Sequence, residues 1–532
     1  MKKQRYRRIM AAALALALSG CAAAQQPFAA VADTASDLYS ALSSTAVKNQ
    51  APITLRLWHG FTGREAAALE TLTETFNQTM GEQQRISVQL TGYDGIQSVN
   101  DAVKDALQQE KEKTDDLVRL PDLFFAWDDT AYRLDQLNLA MHLDEFLSSE
   151  QQEAFLECVQ AEMYPGDSDS MTLFPIGLDT TILMYRQDLW ETFSSTLVSE
   201  DAQEQQPELT EEPADLERPA ESLLSTWEGI GETALKYRQW SQTQRQTEQE
   251  EESEPRQNTP GSLAADQTLP SFFVTDCWGQ LLLSGYRSLG QEMFTTDQQT
   301  VRFDFARERV RVFWDFWYPS AIQGCFSWQD SLAAVSQEDV MSCLLPTSQL
   351  RNVNTQPYFA MLSTPYFAQG EAAALQQTLG LVAIKGSQEH QAAIQIFLTY
   401  LLEPDRMAQM AVACGMLPTL RESLSDPILT QAFESAQIGQ LEQAGLLQAV
   451  QQLETHTLFP LSVFEGSEKL TDMMDQTLAN EGRTSRNRYL TVVKGGMDSD
   501  EALDIMTSDS QFENWYLRFR DAVVEAALLG ES

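Results

Sequence analysis

Three aromatic residues, each followed by a polar residue, stand at the ends of three predicted β-strands. The pairs are Trp58-His59, Tyr93-Asp94 and Trp127-Asp128. Aromatic faces and carboxylate acceptors together suit a polyhydroxylated ligand such as a sugar. Ligands of open α/β sheets bind beyond the carboxyl ends of the strands. The pairs therefore predict one shared crevice, although packing in the core is the alternative for each ring.

Paired carboxylates also perform glycoside hydrolysis. Asp94, Asp128 and Asp179 could take these roles, but among 77 acidic residues such pairs arise by chance. The chain has no GxSxG elbow and no Walker A loop, and Gly229-Ile230-Gly231 lacks the last glycine and the preceding strand of a dinucleotide fingerprint. We therefore predict a protein that is not an enzyme, with a surface glycoside hydrolase as the alternative.

Metal-site and disulfide patterns are also missing. The 4 histidines form no HxxxH or HExxH pair, and the cysteines after Cys21 are odd in number with no CxxC spacing. We predict no metal site and no cofactor. Cys325 and Cys343 could pair in an oxidising compartment, or the cysteines could remain buried free thiols.

The first part of the folded region alternates strands and helices. Residues 53–57 and 86–90 alternate apolar and polar side chains as half-buried strands do, and 123–126 is the continuous apolar run of a covered parallel strand. Thr62 and Glu65 form a capping-box signal for the helix after the first strand. This βαβαβ order predicts an α/β fold with a parallel sheet.

Farther along, 182–185 reads as another strand and 226–240 as a helix. The segments 200–223 and 241–269 are rich in Glu, Gln, Pro, Ser and Thr, with few apolar anchors. Such composition buries too little surface to offset the entropy of ordering, so we predict two mobile acidic insertions. Mainly helical, globular sequence resumes at Phe272.

The N-terminus has the anatomy of an export signal. Lysines and arginines occupy much of 2–8, an apolar run covers 9–18, and Leu18-Ser19-Gly20-Cys21 follows. That last run resembles the lipobox of bacterial lipoproteins, which implies a signal peptide at 1–20 and an acylated (palmitate-bearing) Cys21. A cleaved signal with an incidental Cys is the alternative. Residues 21–51 would tether the protein to the outer side of the cell membrane.

Length and charge narrow the remaining choices. A chain of 532 residues exceeds what one core usually organises, so two lobes are expected. A net charge of −41 argues against nucleic acid as a partner, because phosphate binding needs clustered Lys and Arg. No apolar run after Leu18 is long enough to span a bilayer, and we expect a monomer.

Several short motifs occur in an order that matches a known family. They are "ITLRLWHGFTG" (53–63), "LPDLFFAWDDTAYRL" (120–134), "PIGLDTTILMYRQDLW" (175–190), "TWE" (226–228) and "GMLP" (415–418). Together with the lipobox they resemble family 1 extracellular solute-binding proteins of ABC importers, including members that bind maltose or glycerol 3-phosphate.

The resemblance implies a two-lobe periplasmic-binding-protein-like fold whose lobes close around a solute by a hinge motion and then dock on a membrane permease. It divides the chain into a first lobe at 52–180 and 356–408 and a second lobe at 181–355 and 409–532.

The same resemblance implies a set of ligand-binding residues. They are Trp58, His59, Tyr93, Asp94, Trp127, Asp128, Asp179, Trp278, Tyr366 and Met416. Asp179 falls where the family places an acidic ligand contact, and Met416 replaces the usual Tyr. Alternatives stay open for Trp278, which could pack within its helix, and for His59, which could cap the following one.

A saccharide is the favoured ligand. The opening motif also resembles that of binding proteins for glycerol 3-phosphate and its diesters, and an anionic ligand would need an Arg or helix N-termini in the crevice. Arg64 could supply that charge, although we expect it to face solvent. A scaffold lipoprotein without a ligand is a third alternative.

Overall fold

A computed structural model describes residues 51–112, 119–204, 221–251, 271–297, 300–337, 340–353, 359–464 and 467–529. The predicted signal peptide, Cys21 and the tether up to residue 50 lie outside the described residues. So do 205–220 and 252–270, the larger parts of the two acidic segments.

The N-terminal βαβαβ unit is confirmed. Its elements are β1 (Ile53–His59), α1 (Gly63–Gln78), α2 (Met80–Gln84), β2 (Ile86–Gly92), α3 (Ile96–Glu112), β3 (Leu123–Ala126) and α4 (Asp128–Gln136). Strand β1 pairs in parallel with both β2 and β3. The predicted capping box is present, and the Thr62 amide donates to Glu65 Oε2 at 3.3 Å.

Two short helices, α5 (Ser149–Glu153) and α6 (Gln160–Met163), lead into the long strand β4 (Phe174–Arg186). The strand predicted at 182–185 covers only the C-terminal part of β4. All residues of β4 except Arg186 are buried, so the strand continues through a covered region where no apolar–polar alternation marks its start.

A helix-rich region with interspersed strands follows. Its elements are α7 (Gln187–Glu204), α8 (Trp227–Glu251), β5 (Ser271–Val274), α9 (Trp278–Ser288), β6 (Phe294–Asp297), β7 (Thr300–Phe303), α10 (Arg307–Gln323), β8 (Phe326–Ser327), α11 (Ser331–Ser336), β9 (Val340–Pro346) and β10 (Phe359–Ser363). Helix α7 continues to Glu204 and helix α8 extends the predicted helix into 241–251. The described starts of both acidic segments are therefore helical, contrary to the prediction of mobile insertions. The strands after residue 271 were missed by the expectation of mainly helical sequence.

The C-terminal part begins with a strand that returns to the sheet. Its elements are β11 (Ala373–Ala383), α12 (Gln388–Leu401), α13 (Pro404–Ala413), β12 (Leu417–Pro418), α14 (Asp426–Ala436), α15 (Gln440–Thr455), β13 (Thr457–Phe459), α16 (Ser467–Lys494), α17 (Ser499–Met506) and α18 (Asp509–Leu529). The main sheet has the order β2-β1-β3-β11-β4-β9-β5-β8.

Strand β4 joins the two halves of that sheet. Its residues up to Thr180 pair antiparallel with β11, whereas Thr181–Tyr185 pair with β9. One large apolar cluster includes Leu55 and Phe397, and a second includes Trp227 and Trp515. Helices α14 and α15, which lie in the segment predicted for the second lobe, contribute to the first cluster.

Candidate ligand-binding site

A cavity of about 310 Å³ lies where the crossing strands meet both halves of the molecule. This is at the lower end of the ~300–1,000 Å³ typical of small-molecule sites. Trp127 and Asp128 line it from the end of β3, Asp179 from β4, and Gln280 and Asp472 from α9 and α16. The cavity therefore takes residues from both halves and from a strand that joins them.

Trp127 and Asp128 hold adjacent positions at the start of α4. Trp127 is the N-cap residue and is half-buried, while Asp128 is the first helical residue and is 8% exposed. The Asp129 amide donates to Asp128 Oδ1 at 3.0 Å. Burial, followed by the nearby charge of Glu162, raises the pKa of Asp128 well above its usual range.

Glu162 lies in α6 and is 2% exposed. Its carboxylate accepts hydrogen bonds from the Thr378 amide at 2.6 Å, the Thr378 hydroxyl at 2.7 Å and Gln376 Nε2 at 2.6 Å. Burial raises the pKa of Glu162 to about 7 despite these hydrogen bonds. Hydrogen bonds thus hold the Glu162 carboxylate on the crossing strand β11, where its charge also acts on Asp128.

Asp179 is held differently. Thr347 Oγ1 donates to its carboxylate at 2.8 Å, Ser348 Oγ at 2.5 Å and the Ser348 amide at 3.2 Å. Burial raises the pKa of Asp179, and these bonds oppose the shift. Because Thr347 and Ser348 begin the 3₁₀ helix Thr347–Asn352 directly after β9, Asp179 ties the crossing strand β4 to the second half of the sheet.

The cavity lining is acidic. Its carboxylates are Asp128, Asp129, Glu162, Asp179 and Asp472. No Lys, Arg or His is among the described residues that line it.

Two buried amide oxygens add to its acceptor character. Asn100 Oδ1 in α3 and Gln376 Oε1 in β11 have no hydrogen-bond partner among the described residues. Both side chains line the cavity.

The structure places the other two strand-end pairs away from this cavity. Trp58 is 5% exposed and its ring lies 5.1 Å from that of Tyr93, within an apolar cluster of the first half. His59 is buried, its Nδ1 accepts from the Phe61 amide at 3.2 Å, and burial lowers its pKa. Asp94 is exposed and outside the cavity lining. The predicted shared crevice is therefore lined by the third pair alone.

Three further predicted ligand contacts also lie outside the lining. Trp278 is 2% exposed and packs on Trp328 with ring centroids 4.8 Å apart, as the packing alternative holds. Met416 is buried against Gly177 of β4. The Tyr366 carbonyl accepts from the Trp227 amide at 3.1 Å, and its ring contacts that of His456. In this conformation these three side chains serve packing.

Arg64 does not face solvent freely, contrary to expectation. Its guanidinium donates to both oxygens of Glu442, at 2.9 and 2.5 Å, and to the Ala413 carbonyl at 3.0 Å. The Glu442 side chain is 5% exposed, so the pair joins α1 to α15 in a partly buried setting. Arg64 is outside the cavity lining, and the Glu442 carboxylate already balances its charge.

A second cavity, of about 730 Å³, lies at the amino ends of β1 and β3. Arg56 and His390 line it, and both contact Asp122. Ligands of open α/β sheets bind at the opposite, carboxyl edge. We therefore place the candidate site in the smaller cavity.

Residues 71–453 match the family model of the bacterial extracellular solute-binding proteins. The chain belongs to this family. The match covers most of the folded region, including the segments that supply Trp127, Asp128, Glu162, Asp179 and Gln376. A search of curated proteins found no significant match.

Solved structures show the same fold for this solute-binding protein. The sugar-binding protein MalE from Xanthomonas citri superposes with a TM-score of 0.57 at 15% identity, covering 90% of this chain and 99% of that one. The cyclic alpha-maltosyl-1,6-maltose binding protein from Arthrobacter globiformis gives 0.56 at 14%, covering 87% and 99%. UgpB from Mycobacterium tuberculosis, in complex with glycerophosphocholine, gives 0.55 at 14%, covering 90% and 99%.

Several lining residues of this solute-binding protein were missed from sequence. Gln97 and Asn100 share one face of α3, three residues apart, directly after the end of β2. Gln376 and Gln377 interrupt an otherwise apolar strand, a signal that could have marked them. No sequence signal singles out Glu162, because its helix is short and its partners lie more than 200 residues away.

Within the described residues, no helix is long and apolar enough to cross a membrane and no group of His, Cys, Asp and Glu could hold a metal ion. Cys158, Cys277, Cys325, Cys343 and Cys414 form no disulfide bond with one another. Burial raises the pKa of Cys277 to about 12, so this thiol stays protonated at neutral pH.

Proposed function

We propose that this protein is an extracytoplasmic lipoprotein that captures a polyhydroxylated small solute, a saccharide, between its lobes and delivers it to the permease of an ABC importer. The carrying observation is the cavity where the lobes meet, which combines the half-buried Trp127 ring with carboxylate and amide acceptors. An aromatic face beside hydroxyl acceptors is the chemistry that a sugar ring matches.

The glycerol phosphate alternative is the weaker one on this geometry. An anion would meet the lining carboxylates with no Lys, Arg or His among the described lining residues. Arg64 is bound by Glu442 and cannot supply the missing charge. The likeness to UgpB shows the fold, and the lining chemistry points to a ligand that donates hydrogen bonds.

Lobe closure, anchoring and delivery complete the proposal. The lobes would close by a hinge motion about β4 and β11. We keep the predicted boundaries, with the first lobe at 52–180 and 356–408 and the second at 181–355 and 409–532. Lipid on Cys21 would hold a monomer at the outer face of the membrane, beside the permease subunits. The solute-binding family is a family of binding proteins, and we propose no catalytic residue.

A thermal-shift screen against a panel of mono- and disaccharides, glycerol 3-phosphate and its diesters tests the ligand class. A ligand at about 100 times its Kd adds ~2.7 kcal/mol to the free energy of unfolding. We expect stabilisation by a saccharide. Stabilisation by glycerol phosphates alone would contradict the saccharide assignment. If the protein hydrolysed a chromogenic glycoside and Asp128→Asn abolished that activity, the proposed binding function would be wrong and the protein would be a glycoside hydrolase.

A further inference from the structure

Two buried side chains that line the cavity each carry an amide oxygen to which no group of the described chain donates a hydrogen bond. Asn100 is 9% exposed and Gln376 is 5% exposed, yet the side-chain oxygen of each has no partner among the described residues. A buried acceptor left unpaired costs ~1–3 kcal/mol. A ligand that donates hydrogen bonds would remove this cost at both positions.

The orientation of the Gln376 amide follows from its neighbours. Its Nε2 donates to the Cys158 carbonyl and to Glu162 Oε1, both at 2.6 Å. Turning the amide over would place its oxygen against these two acceptors. Oε1 is therefore the acceptor that is left without a partner, on a side chain that lines the cavity.

Among the residues that the structure describes, the buried carboxyl groups of the lining lack a cationic partner. No ion pair with Lys, Arg or His is found for Asp128, Glu162 or Asp179 within the described part of the chain. Asp179 receives three hydrogen bonds from Thr347 and Ser348, but Asp128 receives only backbone donors and lies near Glu162. Carboxylates of this kind are stabilised most by a cation that brings its own hydrogen-bond donors.

We propose that the solute carries a protonated amino group beside its hydroxyls, and is therefore an amino sugar. The ammonium would lie beside Asp128 and Glu162, in the cavity that the Asn100 and Gln376 side chains also line. Trp127 would cover the sugar ring and contribute a cation–π attraction. This inference rests on the proposed function and narrows its ligand class. A neutral sugar could donate to the acceptors but would leave the buried carboxyl groups without a cationic partner.

Matched saccharides that differ at one nitrogen provide the test. Titration calorimetry on the full chain at pH 7 would compare glucosamine with glucose and N-acetylglucosamine, and the glucosamine β-1,4 disaccharide with cellobiose and diacetylchitobiose. We expect the amines to bind at least ~10-fold more tightly than their neutral partners. Raising the salt from about 20 to about 500 mM should weaken only the amine binding, because salt screens ionic attraction.

Charge-removing variants supply a second readout. Asp128→Asn and Glu162→Gln should each weaken amine binding by ~10-fold or more beyond any loss for the neutral sugars, so that the amine preference falls by that factor. The control Glu74→Gln removes a carboxylate from the exposed face of α1 and should leave the preference unchanged. If Glu162→Gln does not fold, Asp128→Asn and the salt dependence of the unmodified protein decide.

The outcomes separate the two proposals. Neutral sugars that bind as tightly as the amines, with no salt dependence, would overturn the amino-sugar inference and leave the saccharide-binding function standing. If neither neutral nor amino sugars bind while a glycerol phosphate does, both proposals fail.

Discussion

At the scale of single residues, Trp127 and Asp128 are neighbours in the chain with different environments. The Trp127 ring is half-buried and lines the cavity, whereas the Asp128 carboxylate is almost wholly removed from water and has no cationic partner among the residues that the structure describes. Removing a half-exposed ring costs little core packing, and removing a desolvated charge relieves an unfavourable state. Both residues should therefore matter more for the ligand than for the fold.

Trp127→Ala and Asp128→Asn should each weaken binding of the identified solute by ~10-fold or more, which corresponds to ~1.4 kcal/mol. The melting temperature of the unliganded protein should stay nearly unchanged for Trp127→Ala and should stay or rise for Asp128→Asn. Titration calorimetry and differential scanning calorimetry measure the two quantities. Collapse of the fold by Trp127→Ala, with normal binding by Asp128→Asn, would show that these residues only pack.

Glu162 predicts a pH dependence of stability whose sign can be worked out. Its pKa of about 7 in the folded protein lies above its ordinary value of 4.5, so between these pH values the folded state binds more protons than the unfolded state. The free energy of unfolding contributed by Glu162 therefore falls as the pH rises from 4.5 to about 7, by on the order of 3 kcal/mol at most.

Urea unfolding of the unmodified protein and of Glu162→Gln at pH 4.5, 6 and 7.5 isolates this contribution. The stability advantage of the unmodified protein over the variant should shrink as the pH rises through this range. A difference that grows with pH would mean that the folded protein holds Glu162 ionised by contacts stronger than its burial cost.

At the scale of elements, β4 and β11 carry the connection between the halves and the centre of the site. Gly380 shows how closely they approach, because a Cβ at this position would lie 2.6 Å from the Phe174 carbonyl oxygen. The register between the two strands also shifts next to Gly380. The Phe174 carbonyl belongs to the backbone of β4, so it cannot move away from an added Cβ without displacing the strand that carries Asp179.

Gly380→Ala should lower the free energy of unfolding by ~1–3 kcal/mol because it overpacks this crossing. Gly231→Ala is the matched control: its Cβ would meet Phe316 at an ordinary 3.4 Å inside α8, where Ala gains ~0.5–1 kcal/mol over Gly. Chemical denaturation of both variants should therefore show shifts of opposite sign. Equal stability of the two would mean that the crossing strands separate without cost.

At the scale of the whole molecule, two apolar clusters meet around strands that both halves share. A solute held by Trp127 on one side and by residues of α9 and α16 on the other would favour the closed arrangement. The same solute should leave the secondary structure unchanged, since the proposed closure moves the lobes as rigid bodies about the crossing strands.

Saturating solute should reduce the radius of gyration measured by small-angle X-ray scattering, with no change in far-UV circular dichroism. The control is the Trp127→Ala protein at the same solute concentration, which its weaker binding leaves unsaturated. If calorimetry shows a saturated protein whose radius of gyration is unchanged, lobe closure is contradicted.

The proposed anchoring through Cys21 is tested separately. Cys21→Ser should release the protein from washed membranes without changing its melting temperature, because an acyl chain contributes to location and not to packing. Membrane fractionation followed by immunoblotting measures the release. Retention of the variant would reveal another anchor.

The first three strands and the Trp127-Asp128 pair could be predicted from sequence because local patterns determine them. Alternation, a continuous apolar run and a capping box each depend on residues within a few positions of one another. The carboxyl end of β3 follows from the chain alone, and with it the position of the pair at the edge of the sheet.

The tertiary structure alone decided which residues join that pair. Glu162 meets Gln376 and Thr378 across more than 200 residues, and the order that places β11 between β3 and β4 brings them together. Trp58 and Tyr93 carry the same strand-end signature as Trp127, yet Trp58 is buried in an apolar cluster with residues of α3 and Tyr93 packs against that cluster. Strand order and packing arise from long-range burial, which no local pattern encodes, so the acidic, acceptor-rich character of the cavity appears only in the folded protein.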